Sequence, residues 1–235
     1  MATPVLTSSR WTSPEIVILN PQVPLETFLP PANFSHTHFI GTHDSNGFCG
    51  GVFFLRIHDW SVKMLLEVLA PPRETDVDLS KHKDAKAMEN VLKDERFRDA
   101  VVYQPRTWFN AYQLDIDTFE GKHGDLLVHF HEMDGDKWTA MARHFARMRK
   151  ERSVWSVPMK KTTYEQDVAA YWDRMRRSRE LIAEADKRNV EGDVRGARDR
   201  LSWIKDYKSD SESEMEAAIA WLETALGRQD EKPDA

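Results

Sequence analysis

Glu15-Ile16-Val17-Ile18-Leu19 is a short apolar run rich in β-branched residues, and it stops at Asn20-Pro21. A run of this length and composition is typical of a buried β-strand. Residues 51–56 and residues 126–130 form two further runs of this kind, and the second follows the turn-like pair Gly124-Asp125. The pattern therefore predicts three buried strands.

Helical periodicity occurs between these strands. Residues 61–69 carry apolar side chains at positions i, i+3, i+4 and i+7, a spacing that indicates an amphipathic helix. The side chains in question are Val62, Leu65, Leu66 and Leu69. Ser80 is placed to cap a second helix that runs to Leu92. Because strands alternate with helices, we predict an α/β fold.

Composition and charge exclude several classes of protein. The chain has 235 residues, 40% of them hydrophobic, which is enough to build a core. The net charge is −6, so no basic excess is present to neutralise phosphates, and we expect no nucleic-acid partner. Cys49 is the only cysteine, which leaves no intrachain disulfide. We also expect no membrane span in this chain, because no stretch approaches about 20 apolar residues.

The histidines mark a change in composition along the chain. All nine lie between His36 and His144, whereas the charge-rich residues 158–235 contain none. We predict a leader at residues 1–10, an α/β domain at 11–157, a charged helical extension at 158–228 and a disordered tail at 229–235.

Three apolar stripes at helical spacing occur in the extension. They are Val168, Trp172, Met175 and Ile182; Val194, Ala197, Leu201 and Ile204; and Met215, Ile219, Leu222 and Leu226. Capping and acidic residues at 209–214 precede the last stripe. The stripes are short and interrupted, which favours a solvated helical appendage over a coiled-coil partner site.

Three motifs in a fixed order point to one family. They are Trp11-Thr12-Ser13-Pro14-Glu15; Asp44-Ser45-Asn46-Gly47-Phe48-Cys49-Gly50-Gly51; and, after Gln104-Pro105-Arg106-Thr107-Trp108, the run His123-Gly124-Asp125-Leu126-Leu127-Val128-His129-Phe130. Together they resemble the Golgi family of enzymes that transfer galactose, mannose or xylose from a nucleotide sugar.

This resemblance implies a Rossmann-like fold of the glycosyltransferase A type and a retaining, metal-dependent transfer to a glycan acceptor. It also implies a type II membrane protein of the Golgi. Residues 1–10 show no family pattern, so we expect a catalytic domain that lacks its first strands. The alternative is an inactive family member that acts only through structure or interaction.

The resemblance also implies a manganese site. At the first motif the family normally has Trp-Leu-Asp-x-Asp, and its two carboxylates hold Mn²⁺ against the donor diphosphate. Here Ser13 and Glu15 stand at those positions. Glu15 can ligate a hard cation, whereas Ser13 is a poor ligand. By resemblance His129 joins the metal shell, and His131 shares its strand face.

The remaining candidate site residues follow from the same resemblance. Asp44 and Asp84 are the candidate catalytic acids, and Asp84 begins a segment in which Ala85 replaces the family's glutamine. The candidate donor- or acceptor-binding residues are Asn46, Gly50, Gly51, Arg56, Gln104 and Trp108. Two alternatives stay open from the residues themselves: Arg56 can face a diphosphate or pair with an acid, and Trp108 can stack on a sugar or pack in the core. We expect Cys49 to be a buried filler and not a nucleophile.

Overall fold

The structure of the protein is a computed structural model that describes residues 8–70, 83–133, 136–188 and 211–227. Four of the described strands form the largest described sheet. The described strands are β1 (Ser8–Thr12), β2 (Ile16–Ile18), β3 (Phe39–Gly41), β4 (His43–Asp44), β5 (Gly47–Phe48), β6 (Val52–Arg56), β7 (Val101–Tyr103) and β8 (Leu127–His129). The large sheet has the order β1-β6-β3-β7, in which β6 runs antiparallel to both neighbours and β3 runs parallel to β7.

Two smaller strand pairs carry part of the candidate site. Strands β2 and β8 are antiparallel, with Ile16 opposite His129 and Val17 opposite Val128. Strands β4 and β5 form a hairpin whose turn contains Asn46. Gly47 has φ 111°, in the left-handed region that favours glycine, so the tight turn requires this residue.

The described chain also contains helices. They are α1 (Asp59–Leu69), α2 (Lys83–Lys93), α3 (Arg106–Phe109), α4 (Lys137–Lys150), α5 (Arg152–Trp155), α6 (Tyr164–Arg188) and α7 (Ser211–Ala225). Short 3-10 turns occur at Leu25–Phe28, Ala32–Phe34, Arg98–Ala100 and Met159–Lys161. None of the described helices is both long enough and apolar enough to cross a lipid bilayer.

The three predicted strands are confirmed as β2, β6 and β8. The predicted helix at 61–69 is also confirmed, although it begins at Asp59 because the His58 side chain accepts a hydrogen bond from the Trp60 amide and caps it. The second predicted helix is α2, which the structure describes from Lys83, so the predicted cap at Ser80 lies outside the described residues.

The apolar stripe of α1 lies on the exposed face of the helix. Leu66 is 63% exposed and Leu69 is 79% exposed, whereas Met64 is fully buried. Met64 and Ser61 are the buried members of this helix. Periodicity therefore predicted the helix correctly, but it did not predict which face is buried.

A hydrophobic cluster holds the β2–β8 pair against α4. Val17 and Leu19 of the first strand segment meet Val128 and Phe130 of the second, and Ala140, Met141 and Trp155 complete the cluster. Strand alternation places these side chains on one face of the pair and leaves His129 on the other. The cluster thus fixes the direction in which His129 points.

The chain divides into two compact units, residues 1–165 and residues 166–235. In the second unit, the Arg177 guanidinium pairs with the Glu223 carboxylate at 2.7 Å and joins α6 to α7. Of the predicted stripes, Val168, Trp172, Met175, Leu222 and Leu226 are buried. The middle stripe, the capping pair at 209–210 and the tail at 229–235 lie outside the described residues, and the four predicted regions stay predictions.

Candidate active site

His129 ends β8 and is the centre of the candidate site. Its side chain is 2% exposed, and Nδ1 lies 2.9 Å from Oδ1 of Asn110. The Asn110 amide is oriented in turn, because its Nδ2 donates to the Thr42 hydroxyl at 2.7 Å. With an oxygen facing it, Nδ1 carries the proton and Nε2 keeps its lone pair. This is the arrangement in which proteins present a histidine to a metal or a proton donor.

Gly51 makes room for this imidazole. A Cβ atom added at Gly51 would lie 2.2 Å from Cε1 of His129, so that any side chain there would displace the ring. At Gly50 an added Cβ would meet Ala85 at 3.4 Å, which is ordinary contact. The two glycines therefore differ, and only Gly51 is required by its contact with the histidine.

The His129 imidazole is neutral near pH 7. Burial, together with the neighbouring His131, Lys137 and Arg106, lowers the pKa of His129 to about 4, against an opposing effect of the Glu15 carboxylate. Because a protonated imidazole cannot bind a cation, this environment keeps His129 in the form that a metal site needs.

Tyr112 joins His129 to the β4–β5 hairpin. Its hydroxyl lies 2.8 Å from Oδ2 of Asp44 and 2.8 Å from Sγ of Cys49. His131 completes the group, with Nε2 at 4.0 Å from Oδ2 of Asp44. These side chains and that of Asn110 form the His129 cluster, which consists of Asp44, Cys49, Asn110, Tyr112, His129 and His131.

Burial controls the protonation of two members of this cluster. Burial raises the pKa of the Cys49 thiol and that of the Tyr112 hydroxyl. Cys49 is 4% exposed, and a buried, protonated thiol is unreactive. The prediction that Cys49 is buried is therefore confirmed.

Arg106 and Glu120 hold Tyr112 in place. The Arg106 guanidinium forms a two-pronged pair with the Glu120 carboxylate, at 2.6 and 2.5 Å. It also lies 4.0 Å from the centre of the Tyr112 ring, and Glu120 accepts the Tyr112 amide hydrogen at 2.9 Å. Such two-pronged pairs fix geometry as well as charge, so the tyrosine hydroxyl is kept on Asp44.

The family's metal-binding positions lie beside the cluster but do not assemble a complete site. The Glu15 carboxylate is 2.5 Å from Nζ of Lys137, and the Ser13 hydroxyl accepts the Glu15 amide hydrogen at 3.1 Å. Glu15 lies in the turn before β2, and its negative charge acts on the His129 imidazole, whose pKa it raises against the effect of burial. Within the described residues, no group of three or more His, Cys, Asp or Glu could hold a metal ion.

Asp84 and Asn46 lie at the edge of the cluster. Asn46 is exposed, and its backbone N–H donates to Oδ1 of Asp44 at 2.7 Å, which fixes the second oxygen of that carboxylate. Asp84 is exposed in the first turn of α2, next to the Ala85 that contacts Gly50.

The other three candidates lie elsewhere in the first unit. Gln104 is fully buried and donates to the Phe28 carbonyl at 3.0 Å. Trp108 is buried beside Phe28, with ring centroids 6.4 Å apart, which matches the core alternative for this tryptophan. Arg56 ends β6 at the far end from Gly51 and donates to the Ser35 carbonyl, so neither alternative for this arginine describes its contact.

Sequence patterns did not indicate Tyr112 or Lys137. Tyr112 lies in an irregular segment, and its distance of 68 residues from Asp44 along the chain leaves no spacing signal. The sequence does not distinguish Lys137 from the many other charged residues, and it is the packing of α4 on β2 that brings this lysine to the site. Only chain packing brings these residues to the site.

The segment with the His129 cluster is similar to a family of glycosyltransferases. Residues 26–134, a little under half of the chain, match the model of the galactosyl transferase GMA12/MNN10 family, which confirms the resemblance read from the sequence motifs. All six residues of the cluster lie within the match, whereas Ser13, Glu15 and Lys137 lie outside it. No curated protein and no solved structure shows significant similarity to the chain.

Proposed function

We propose that this protein transfers a galactosyl, mannosyl or xylosyl unit from a nucleotide sugar to a glycan acceptor, with retention of anomeric configuration, in the Golgi. One observation carries the proposal. The family match contains the whole His129 cluster, and these residues lie far apart in sequence but form one buried, hydrogen-bonded group. A fold of the glycosyltransferase A type is part of the proposal.

The reaction breaks the bond between the anomeric carbon and the diphosphate oxygen. The acceptor hydroxyl oxygen then bonds to that carbon, its proton is released, and the nucleoside diphosphate leaves. Negative charge grows on the leaving group, and positive charge grows on the sugar ring. Groups of fixed orientation next to both charges are therefore the main catalytic requirement.

The chain's own carboxylates suit the sugar side of this reaction. Asp44 accepts hydrogen bonds from Tyr112 and from the Asn46 amide, so its orientation is set before substrate binds. A preoriented carboxylate can stabilise positive charge on the ring at no cost in reorganisation. Asp84 is exposed at the rim, where it could orient an acceptor hydroxyl.

Mn²⁺ is the proposed cofactor, and it would neutralise the leaving diphosphate. His129 fits as one ligand because Nδ1 is held by Asn110 and the ring is neutral. Glu15 would fit only after Lys137 released its carboxylate. The metal therefore competes with a lysine of the chain itself.

Calorimetric titration with nucleoside diphosphates tests this proposal. UDP and GDP should bind in the presence of Mn²⁺, and His129→Ala should weaken binding by about tenfold or more, since it removes one metal ligand. Lys137→Met should strengthen Mn²⁺ binding, because Glu15 would then lose its competing cation. Transfer from UDP-galactose, GDP-mannose and UDP-xylose to a glycan identifies the donor.

His123→Gln is the matched control, because His123 is an exposed histidine six residues before His129. It should bind nucleotide and metal like the original chain. If neither UDP nor GDP binds with or without Mn²⁺, the transferase proposal fails. The protein would then be the inactive family member that acts through structure or interaction.

A further inference from the structure

A second pocket lies at the far end of β6. It has a volume of about 160 Å³ and is lined by residues of the segments 29–40 and 54–56. Since a strand rises about 3.4 Å per residue, Arg56 lies about 17 Å along β6 from Gly51 and the His129 cluster. This Arg56 pocket is therefore separate from the candidate active site. A cavity of about 150 Å³ holds one benzene ring, so the pocket matches a single six-membered ring.

Two residues that line this pocket each have a buried polar atom with no hydrogen-bond partner among the described residues. The Thr37 side chain is 2% exposed, and its hydroxyl forms no hydrogen bond with any residue that the structure describes. The same holds for Nδ1 of the adjacent His38. Buried polar groups are nearly always hydrogen-bonded in proteins, so two neighbouring exceptions in one pocket indicate that a bound molecule supplies the partners.

The charge of the pocket is positive. Arg56 donates one of its five N–H groups to the Ser35 carbonyl, which holds the guanidinium beside the pocket. Burial and the nearby His58, Arg56 and His36 lower the pKa of His38 to about 4. The residues that line the pocket, all of them described, include no carboxylate. An anionic group would meet Arg56 without a competing acid.

Most of the other lining residues are apolar. Leu29, Pro30, Pro31 and Phe34 are among them, and their side chains offer C–H and ring surface but no hydrogen bonds. A sugar ring has one face of C–H groups and an edge of hydroxyls, so it can use both kinds of surface at once. Ligand sites in proteins commonly combine such an apolar surface with a few placed polar groups.

We propose that the Arg56 pocket binds an acidic monosaccharide unit, a pyranose ring that carries one carboxylate or phosphate. The anionic group pairs with the Arg56 guanidinium, which matches the planar fork of a carboxylate or phosphate. The Thr37 hydroxyl and Nδ1 of His38 bond to ring hydroxyls, and the prolines cover the C–H face. This site goes beyond the proposed transfer reaction and does not depend on it.

Ligand-observed NMR titration of the full chain tests the pocket. The probes are glucuronate, glucose 6-phosphate, neutral glucose and inorganic phosphate. Glucuronate or glucose 6-phosphate should bind at least about tenfold more tightly than glucose, because only they pair with a guanidinium. The two acidic probes also show whether carboxylate or phosphate is preferred. Arg56→Gln should remove the preference for the acidic sugars over neutral glucose.

Thr37→Val replaces the hydroxyl with a methyl group and should weaken binding of the acidic sugar several-fold. This variant keeps the test usable if Arg56→Gln fails to fold. Arg98→Gln is the control, an exposed arginine outside the pocket. His129→Ala should leave sugar binding unchanged, so this test and that of the transferase fail separately. The proposal is overturned if glucose binds as tightly as glucuronate, or if phosphate alone binds as tightly as glucose 6-phosphate. It is also overturned if Thr37→Val changes nothing.

Discussion

At the scale of single residues, the contact between Gly51 and His129 is the tightest constraint of the site. Because Gly51 has no side chain, the His129 imidazole can pack against the backbone and donate a hydrogen bond from Nδ1 to Oδ1 of Asn110. The sequence motif placed two glycines together, and the resemblance marked both. Only the coordinates distinguish the one that touches the histidine from the one that touches α2.

Gly51→Ala should disrupt the site, because the added methyl group would overlap His129 at Cε1. Overpacking of this kind costs about 1–3 kcal/mol, and we expect that loss in the free energy of unfolding from urea titration. The nucleoside diphosphate affinity should fall with it. Gly50→Ala is the matched control and should stay within about 0.5 kcal/mol of the original stability. Equal effects of the two substitutions would contradict this account.

At the scale of elements, α1 differs from what its sequence suggests. Its spacing of apolar residues is that of a helix packed by its leucines, yet those leucines lie in solvent and Met64 lies in the core. Periodicity identifies a helix because backbone geometry repeats every 3.6 residues. It does not identify the neighbour, since that depends on chain segments distant in sequence.

Leu66→Lys with Leu69→Lys should leave folding intact. Both side chains are more than half exposed, so the free energy of unfolding should change by no more than about 0.5 kcal/mol. Association of the protein at high concentration should decrease, because exposed apolar patches promote contact. Light scattering after gel filtration measures this.

On the same helix, Met64→Ala should cost about 2–4 kcal/mol, because it opens a cavity. A strong loss of stability in the double lysine variant would refute the observed orientation.

At the scale of the whole molecule, buried histidines tie stability to pH. His144 is 3% exposed, Nε2 lies 2.8 Å from Oε1 of Gln113, and Nδ1 has no partner among the described residues. Burial, and to a lesser degree Arg147, lower its pKa to about 4. The unfolded chain therefore takes up a proton at His144 near pH 6.5, whereas the folded protein does so only near pH 4.

Stability should therefore be full above pH 6.5 and decline as the pH falls toward 4. At pH 5 the contribution of His144 to this loss is about 2 kcal/mol. His144→Gln keeps a donor for Gln113 but cannot titrate. Between pH 6.5 and 5, the free energy of unfolding of this variant should therefore fall less steeply than that of the original protein, by up to about 1.4 kcal/mol per pH unit. Urea titrations at several pH values measure the slope. Met141→Leu, on the same helix, is the control and should change stability but not its slope against pH. An unchanged slope in His144→Gln would refute the assignment of this pH dependence to His144.

The sequence by itself determined the local elements and the resemblance to a family. Runs of β-branched residues predicted β2, β6 and β8, and the motifs around Gly51 and His129 indicated a resemblance to glycosyltransferases that the family match confirms. These properties are local, since a few neighbouring side chains set backbone preference and a few motifs mark descent.

Tertiary structure decided which residues meet. It placed Tyr112 on Asp44, Lys137 on Glu15, and Arg56 in a pocket of its own. The physical reason is that strand register and helix docking depend on packing among segments tens of residues apart. Spacing along the chain carries no record of those contacts.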